Sequence, residues 1–524
     1  MSTPTTSTVP ADSTRALTRL RQFATSEQAG AAWLGCLGAT LITVGGLGAG
    51  STRIQDPVLE SLHLSWLRFG HGLVLSSVLL WTGVAVMLLA WFGLGRRVID
   101  RTVTEYTLIA TTGFWLAPLL LSVPVFSRDT YSYLAQGALL RDGFDPYQVG
   151  PVENPNPLLD DVSPIWAATT APYGPAFILV AKLVTILVGN NVVVGTMVLR
   201  LCMLPGLALL IWAAPQVARR VGGSASAALF LAVLNPLVII HLMGGVHNEM
   251  LMVGLMVAGI ALTLRGRPLA GVALVALAAA VKATAVIALP FLVWIWMRRL
   301  REPRGSARLD EGEPTPEPRH GRRGYPTVRA FVTASGISAA IVVAMFAALS
   351  ALAGVGMGWL TALLAGNVKI INWLTVPTAT ANLIHAVFGL IAPINFYAAL
   401  HITRITGIVV IALVLPVLWW RARRDDRSAV AGIAWAMLVV VLFVPAALPW
   451  YYTWPLAAAA TVVRSPTAIA AIAAASTWIM VIFKPDGSHG MYSWLHVIGA
   501  TGCAIYAWYR LTRPSATPQA ADAG

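Results

Sequence analysis

The sequence predicts an all-α, polytopic membrane protein, and three observations lead to this fold class. Hydrophobic residues make up 57% of the 524-residue chain and charged residues only 11%, whereas about a quarter of the residues in a soluble domain are charged. Apolar runs of roughly 17–25 residues, long enough to cross a bilayer as helices, recur along the chain. Arginines follow every second run, as expected of short cytoplasmic loops. We therefore predict a bundle of about 14 transmembrane helices with both termini in the cytoplasm.

The individual helices are predicted from the apolar runs, and their direction from the arginines that follow them. The predicted spans cover residues 31–50, 71–95, 105–125, 192–215, 225–244, 251–264, 269–283, 286–297, 331–353, 405–420, 430–445, 456–463, 469–483 and 497–509. The apolar run 174–188 is instead predicted to lie on the outer side as an interfacial or re-entrant helix. A crossing at this run would move Arg219 and Arg220, which follow the next span, to the outer side.

Polar segments at both ends and between the spans complete the domain organisation. None of them is long enough to form an independent globular core. The predicted regions are a disordered cytoplasmic tail (1–30), a transmembrane domain (31–513) and a disordered C-terminal tail (514–524). Within the transmembrane domain we distinguish a first large outer loop with juxtamembrane helices (126–190), a cytoplasmic loop (300–327) and a second outer region (354–402).

The charge and the cysteines exclude several classes of function. The net charge is +14, but the positive residues lie in short loops between spans, where they set orientation. The composition therefore does not indicate nucleic-acid binding. Cys36, Cys202 and Cys503 all lie in apolar runs, where cysteine behaves as a small buried hydrophobic residue. Neither a disulfide framework nor a cysteine-based metal site is predicted.

A polar stretch, residues 126–150, follows the third span directly and contains the main candidate catalytic residue, Asp129. A carboxylate at the end of a membrane bundle commonly has a function, and here it can act as a general base on a substrate hydroxyl. The alternative is that Asp129 caps a helix over 130–140. Asp160 and Asp161, the adjacent acidic pair later in this loop, are the second candidate.

Other residues of the same stretch are candidates for substrate contacts. Arg128 either pairs with Asp129 or contacts a phosphate, and Tyr131 and Tyr133 are candidate substrate-binding residues. Two more candidates come from later outer segments. Tyr451 lies in an aromatic group, and His489 lies in a short polar loop.

The aromatic group Trp450, Tyr451, Tyr452 and Trp454 has two interpretations. Tryptophan and tyrosine concentrate at membrane–water interfaces without further function, and this interpretation is favoured. Aromatic faces also line sites for sugars and isoprenoids, so Tyr451 and Tyr452 remain candidate substrate-binding residues.

Two more polar groups lie at predicted outer ends of spans. His247, Asn248 and Glu249 follow an adjacent pair of glycines, and they form either a polar helix start or a ligand site. The H-x-E pair alone is a weak indication of zinc, because no further His or Cys ligands can be placed. Lys282 lies within an apolar run with no acid nearby in sequence. It requires either a snorkelling route to water or an anionic partner such as a lipid phosphate.

Taken together, these motifs resemble the GT-C class of membrane glycosyltransferases, which use sugars linked to lipid phosphates. The resemblance covers residues 122–290. It rests on the acidic residue of the first outer loop, Pro172-x-Gly174-Pro175, Arg200-Leu201 with Pro205, Ala218–Gly223, Asn235-Pro236 with His241, His247–Glu249 and Lys282-Ala283-Thr284.

Within this class, the segment FSRDTYSYLAQGALLRDGFDPYQVGP is similar to the polyprenol-phosphate-mannose-dependent α-(1→6)-mannosyltransferases of actinobacteria, which build the mannan core of lipomannan and lipoarabinomannan. The resemblance implies an inverting transfer from polyprenyl-phosphomannose to a mannosylated lipid acceptor. It also implies an enzyme of the plasma membrane with its site on the extracytoplasmic side, surrounded by membrane lipids. Asp129 would be the base, and Lys282, with Arg128 or His247, would bind the donor phosphate.

One departure from the class bears on metal binding. Many members carry two neighbouring acids in the first loop, whereas here Arg128 precedes Asp129. The motif therefore favours a metal-independent mechanism; no cofactor is implied, although a divalent metal remains open. An arabinofuranosyltransferase that uses polyprenyl-phosphoarabinose would share nearly all these features. A lipid or sugar transporter would more often show internal repeats and broken helices, neither of which is visible in the sequence.

Overall fold

The computed structural model describes residues 11–302, 325–361 and 370–513. Over these residues the protein is helical throughout, with a single isolated β-bridge between Phe483 and His489. The α-helices are α1 (Ala11–Ala24), α2 (Gly30–Ala49), α3 (Pro57–Ser61), α4 (Gly70–Ile99), α5 (Glu105–Leu119), α6 (Asp129–Arg141), α7 (Pro164–Ala167), α8 (Pro175–Val188), α9 (Val192–Arg220), α10 (Ala225–Ala232), α11 (Glu249–Leu264), α12 (Pro268–Val281), α13 (Leu289–Arg301), α14 (Thr327–Ala353), α15 (Val376–Phe388), α16 (Phe396–Arg421), α17 (Asp426–Phe443), α18 (Thr453–Val462), α19 (Pro466–Ile482) and α20 (Trp494–Thr512).

Each predicted span has a helical counterpart, and the predicted fold class is confirmed. Within the described residues, seven helical segments are long and apolar enough to cross a membrane, and one bent pair of helices gives an eighth. Other predicted spans correspond to apolar helices of 10–17 residues, among them α11, α12 and α19. The run 174–188 forms α8, which packs against α6, α9, α12 and α14.

One predicted span, 225–244, is broken within its length, which the sequence analysis missed, and irregular backbone joins two other spans at the turn predicted between 283 and 286. Helix α10 and the π-helix Leu237–Gly244 meet at an angle of 46°. Helix α12 ends at Lys282, whose backbone is extended, and a 3-10 helix over Ala283–Ala288 leads into α13. Non-helical backbone at membrane depth is tolerated where it is buried in protein or lines a cavity. The apparent absence of broken helices was therefore a wrong argument against a transporter.

Close contact between α9 and α11 depends on two glycines. A Cβ atom on Gly206 would lie 2.3 Å from the Met250 carbonyl oxygen, and one on Gly254 would lie 2.0 Å from the Gly206 carbonyl oxygen. Small residues at such crossings let the helix backbones approach closely in a membrane. This contact fixes the beginning of α11, where Glu249 lies.

The polar regions differ in part from their predicted descriptions. Residues 11–24 form α1, so the disorder predicted for 1–30 does not extend over them. The second outer region, 354–402, contains α15. The predicted C-terminal tail, most of the predicted cytoplasmic loop 300–327 and residues 362–369 lie outside the described residues.

Candidate active site

Asp129 is the first residue of α6, and the local sequence explains why the helix begins there. The Ser127 hydroxyl accepts a hydrogen bond from the Asp129 backbone N–H at 3.1 Å. Phe126 has a left-handed backbone with φ 65°, and its N–H donates to the Pro485 carbonyl at 2.7 Å. Asp129 itself is not the helix cap, so the capping interpretation is wrong. Its carboxylate is available for other contacts, and its side chain is only 13% exposed.

The surroundings of Asp129 make its carboxyl group a weak acid. Burial, followed by the negative charge of Glu249, raises the pKa of Asp129 to about 7, although Lys282 and the Ser127 hydroxyl oppose the shift. A general base is most effective when its pKa lies near the operating pH. The site therefore supplies a carboxylate whose proton affinity suits proton transfer at neutral pH.

His247 lies between the two acidic residues of the site. Its Nδ1 atom is 3.7 Å from Asp129 Oδ2 and 3.9 Å from Glu249 Oε2. The Tyr133 hydroxyl is 3.4 Å from the same nitrogen. The imidazole ring stacks on Trp450, with ring centroids 3.8 Å apart. His247 thus connects the first turns of α6 with the beginning of α11 and with the segment before α18.

Lys282 is buried, and its partner is a side chain of the protein. Its Nζ atom forms an ion pair with Glu249 Oε1. The same ammonium lies over the rings of Tyr451 and Trp454, at 4.4 and 5.2 Å from their centroids, and 5.8 Å from that of Tyr173. Aromatic faces attract a desolvated cation in this geometry. The side chain is 8% exposed, so the snorkelling interpretation is wrong.

Several buried polar atoms in this cluster have no hydrogen-bond partner among the residues that the structure describes. They are His247 Nε2, Asn248 Nδ2 and Oδ1, Glu249 Oε2, Thr284 Oγ1 and Trp454 Nε1. Buried polar side-chain atoms are normally hydrogen-bonded, and here they are concentrated within a few residues of Asp129, His247 and Lys282. This pattern indicates a site built to receive a polar ligand.

Arg200 helps to position the segment that carries His247, and sequence reasoning assigned it no role. It lies in α9 with no measurable exposure. Its guanidinium donates to the carbonyl oxygens of Leu120, Met243 and Gly244 at 2.9, 3.1 and 3.2 Å. These carbonyls end α5 and the π-helix. The signal in the sequence was an arginine in the middle of an apolar span, which is costly unless hydrogen-bonded.

The structure places Arg128, Tyr131 and Asp161 in supporting contacts around the site. Arg128 donates to the carbonyl oxygens of Asp161 and Thr52. Its guanidinium lies 3.8 Å from the Asp161 carboxylate, so it pairs with Asp161 and not with Asp129. The Tyr131 hydroxyl donates to the Ser51 carbonyl at 2.5 Å. Asp161 also accepts the Ile54 N–H at 2.6 Å. These bonds join α6 to the segment after α2.

Tyr452 and His489 are also placed away from the cluster around Lys282. The Tyr452 hydroxyl donates to the Leu374 carbonyl at 2.5 Å. The His489 ring lies 5.3 Å from that of Tyr492, in a loop whose Gly487 approaches the Ser127 backbone. This loop covers the segment that leads into Asp129.

The membrane-interface interpretation of the aromatic group is wrong for its two tryptophans. Trp450 is 4% exposed and Trp454 is 2% exposed, so neither faces lipid headgroups. Their rings contact His247 and Lys282 instead. Tyr451 stacks on Trp454, with centroids 4.4 Å apart.

Within the described residues, no group of three or more His, Cys, Asp or Glu side chains is arranged to hold a metal ion.

Comparison with known families matches most of the chain. Residues 32–298 match the family described as alpha-(1->6)-mannopyranosyltransferase, N-terminal domain. Residues 377–513 match the MptB C-terminal domain. The first match contains Asp129, His247, Glu249 and Lys282, and the second contains Trp450 and Tyr451. No solved structure matches the chain.

Curated relatives cover nearly the whole length of the protein. Alpha-(1->6)-mannopyranosyltransferase A of Mycobacterium tuberculosis is 68% identical over 95% of this chain and 92% of its own. The protein of the same name from Corynebacterium glutamicum is 36% identical over 89% and 95%. A probable alpha-(1->6)-mannopyranosyltransferase of Mycolicibacterium smegmatis is 33% identical over 89% and 85%.

The fold, the buried cluster and these matches together define a polytopic membrane glycosyltransferase of the GT-C type. The relatives agree with one another in the activity that their names state, and they align with both halves of the chain. The chain belongs to the alpha-(1→6)-mannopyranosyltransferase family.

Proposed function

We propose that this protein transfers mannose from polyprenyl-phosphomannose to a mannan or lipid-linked mannoside acceptor. The new bond is α-(1→6), it forms with inversion at the anomeric carbon, and it contributes to lipomannan and lipoarabinomannan. The observation that supports this proposal most directly is the buried cluster in which the Asp129 carboxyl group and the Lys282 ammonium are joined through His247 and Glu249.

The reaction requires one proton acceptor and one stable leaving group. The 6-hydroxyl of the acceptor mannose gives its proton to the Asp129 carboxylate as its oxygen attacks the donor's anomeric carbon. The phosphate lies on the face of the sugar opposite the attacking oxygen. The bond between the anomeric carbon and the phosphate oxygen breaks, and its electron pair leaves with polyprenyl phosphate. Because the leaving group is a phosphate anion, no general acid is needed. General-base assistance of this kind contributes roughly 10²–10⁴-fold.

Lys282 is the residue that binds the departing phosphate in this proposal. In the protein alone, Glu249 balances the charge of Lys282 and holds its ammonium in position. The phosphate of the donor then binds the same ammonium beside Glu249. Fixed positive charge that is present before the reaction stabilises charge that develops in the transition state. Tyr451 and Trp454 keep the ammonium in place from the other side.

We further propose that the cluster faces the extracytoplasmic side of the plasma membrane. The distribution of charge supports this orientation, because arginines lie at the ends of α9 and α13 that are remote from the cluster. Positively charged loops usually remain in the cytoplasm. A lipid-linked donor can then reach the site from the outer leaflet.

The experiment that tests the function supplies the purified protein, in liposomes, with a radiolabelled lipid donor and a mannoside acceptor. Polyprenyl-phosphomannose is expected to give an α-(1→6)-linked product, and polyprenyl-phosphoarabinose is not. Product from the arabinose donor alone would assign an arabinofuranosyltransferase. Movement of label across the membrane without a new glycosidic bond would assign a transporter.

The same assay tests the role of Asp129. Asp129→Asn is expected to express normally and to lower the turnover rate by roughly 10²–10⁴-fold. Asp160→Asn is the matched control, because it removes an exposed acid of the same loop and should leave the rate unchanged. Wild-type turnover in Asp129→Asn would remove the general-base role. Turnover that persists in excess chelator is the expected result for a metal-independent mechanism, and its loss would contradict that mechanism.

A further inference from the structure

A charged pocket lies at the end of the bundle opposite the active site. Helix α13 begins a few residues after Lys282 and ends at this pocket, which Arg298 and Arg299 line. The 19 residues from Ala283 to Arg301 span about 28 Å as a helix. This length matches a hydrocarbon core of about 30 Å, so the pocket lies at the level of the lipid headgroups of the other leaflet.

The pocket is rich in arginine and only partly neutralised. It has a volume of about 650 Å³, and the described residues that line it include three acids, Glu302, Asp425 and Asp426. The arginines of the lining, six in number, are Arg220, Arg298, Arg299, Arg424, Arg427 and Arg464. The excess of positive charge is therefore three. The arginines come from segments that are far apart in sequence.

The arginines converge in pairs. Arg427 and Arg464 both donate to the Val221 carbonyl oxygen, at 2.9 and 3.3 Å. Arg220 and Arg299 both donate to the Leu264 carbonyl oxygen, at 3.1 and 2.6 Å. Two guanidinium groups on one oxygen lie within a few ångströms of each other. Like charges repel at this distance, so a neighbouring anion favours each pair. Asp426 lies 3.7 Å from Arg299 and 2.6 Å from Arg298, whereas among the described residues Arg427 and Arg464 form no ion pair.

Capping of helix ends explains only part of this arrangement. A cation near the last carbonyls of a helix stabilises it, and the Val221 and Leu264 carbonyls end α9 and α11. One cation at each end would be sufficient for that role. Each guanidinium has five N–H donors, whereas among the described residues Arg427 donates to two carbonyl oxygens, those of Val221 and Val462. Donors and charge both remain for a ligand.

We infer that this arginine pocket binds a phosphate group. Guanidinium groups match phosphate oxygens in a two-pronged geometry, which makes arginine the preferred residue for phosphate recognition. The phosphate comes either from the headgroup of an anionic membrane lipid or from a free phosphate ion. Basic pockets between membrane helices are known to bind anionic headgroups. The inference concerns a site separate from the Lys282 cluster and does not depend on the proposed sugar transfer.

The experiment measures binding to the purified full-length protein in detergent by native mass spectrometry and by thermal shift. The probes are phosphatidylglycerol, phosphatidylcholine and inorganic phosphate. Phosphatidylglycerol should bind and raise the melting temperature, whereas phosphatidylcholine should not. In Arg427→Gln/Arg464→Gln, binding should weaken about 25-fold, since each arginine near an anionic headgroup contributes about fivefold.

Two further variants separate binding from folding. Arg510→Gln/Arg513→Gln removes the same charge from the end of α20, outside the pocket, and should bind lipid as the wild type does. Arg424→Gln removes an exposed arginine of the lining and should weaken binding about fivefold without lowering the melting temperature of the lipid-free protein.

The outcomes distinguish the two sources of phosphate. Loss of phosphatidylglycerol binding in the pocket variants, with no effect of inorganic phosphate, assigns a lipid headgroup. Protection by inorganic phosphate alone, lost in the same variants, assigns a free ion. Equal binding of either probe by wild type and pocket variants, or no binding at all, would overturn the inference and leave the arginines as helix caps.

Discussion

The carboxyl group of Asp129 is the residue-level feature on which the proposed chemistry depends. Its position at the first turn of α6 is set by Ser127, which accepts the Asp129 N–H, and by the left-handed backbone of Phe126. Val246, which precedes His247, is also left-handed, with φ 57°. Such backbone conformations cost about 1–3 kcal/mol each and persist where the surrounding structure enforces them. The left-handed residues Phe126 and Val246 therefore lie next to the segments that carry Asp129 and His247.

The pKa of Asp129 predicts the pH dependence of the reaction. A general base must be ionised, so the rate should rise with pH through a midpoint of about 7. The donor is a phosphodiester and does not titrate in this range, so the midpoint reports the pKa of a group on the protein. Because the negative charge of Glu249 contributes to the raised pKa, Glu249→Gln should move the midpoint of the residual activity to lower pH. The measurement is kcat/KM between pH 5 and 9, and a flat profile would contradict the role of Asp129.

The same pKa has the opposite effect on stability. A carboxyl group whose pKa is raised in the folded state favours folding when it is protonated, and this contribution is lost as pH rises through about 7. Asp129→Asn should therefore melt no lower than the wild type at pH 8, although we expect its turnover to be roughly 10²–10⁴-fold lower. A melting temperature well below that of the wild type would show that the loss of activity comes from misfolding.

At the scale of secondary structure elements, the breaks in the membrane helices place the polar residues. Because α12 ends at Lys282, the side chain of this residue contacts Glu249 at the beginning of α11. The π-helix ends shortly before His247, which lies beside Asp129 at the beginning of α6. The elements that deviate from regular α-helix are therefore the ones that assemble the site.

The ion pair between α11 and the end of α12 gives a test at this scale. Lys282→Ala leaves the buried Glu249 carboxylate without its cation, which typically costs about 3–5 kcal/mol. We expect this variant to have a lower melting temperature and little activity. Adding Glu249→Gln should restore the melting temperature but not the activity, because the phosphate still lacks its ammonium. Recovery of activity in the double variant would remove Lys282 from phosphate binding.

Arg200 gives a second test, because it joins α9 to the ends of α5 and the π-helix. Arg200→Met removes the side-chain donor of three buried carbonyl oxygens, of which Gly244 keeps a bond from the Val125 N–H, and each group left unsatisfied costs about 1–3 kcal/mol. The melting temperature and the rate of product formation should both fall. Arg219→Gln in the same helix is the control, since the ion pair of Arg219 with Glu105 is exposed and contributes little. An equal effect of the two substitutions would contradict the positioning role of Arg200.

At the scale of the whole molecule, close packing of α9 against α11 holds Glu249, at the beginning of α11, in its position in the site. Gly206→Ala would place a Cβ 2.3 Å from the Met250 carbonyl oxygen, so the helices must move apart. The yield of folded protein should decrease, and turnover should decrease further because Glu249 moves with α11. Gly93→Ala is the control, because a Cβ there meets no atom within 4 Å. Normal yield and activity in Gly206→Ala would show that the helix contact is adaptable.

The sequence by itself determined the membrane class, the position of nearly every helix and the identity of Asp129, His247, Glu249 and Lys282 as candidates. Hydrophobic run length and polar residues at the ends of apolar runs are local properties, so they can be read without the fold. Only the tertiary structure decided which of these residues meet: it paired Lys282 with Glu249, directed Arg128 to Asp161, and buried Trp450 and Trp454 beside the site. These pairings join segments that are distant in sequence, and helix breaks and crossings fix them through packing and buried hydrogen bonds that no local pattern contains.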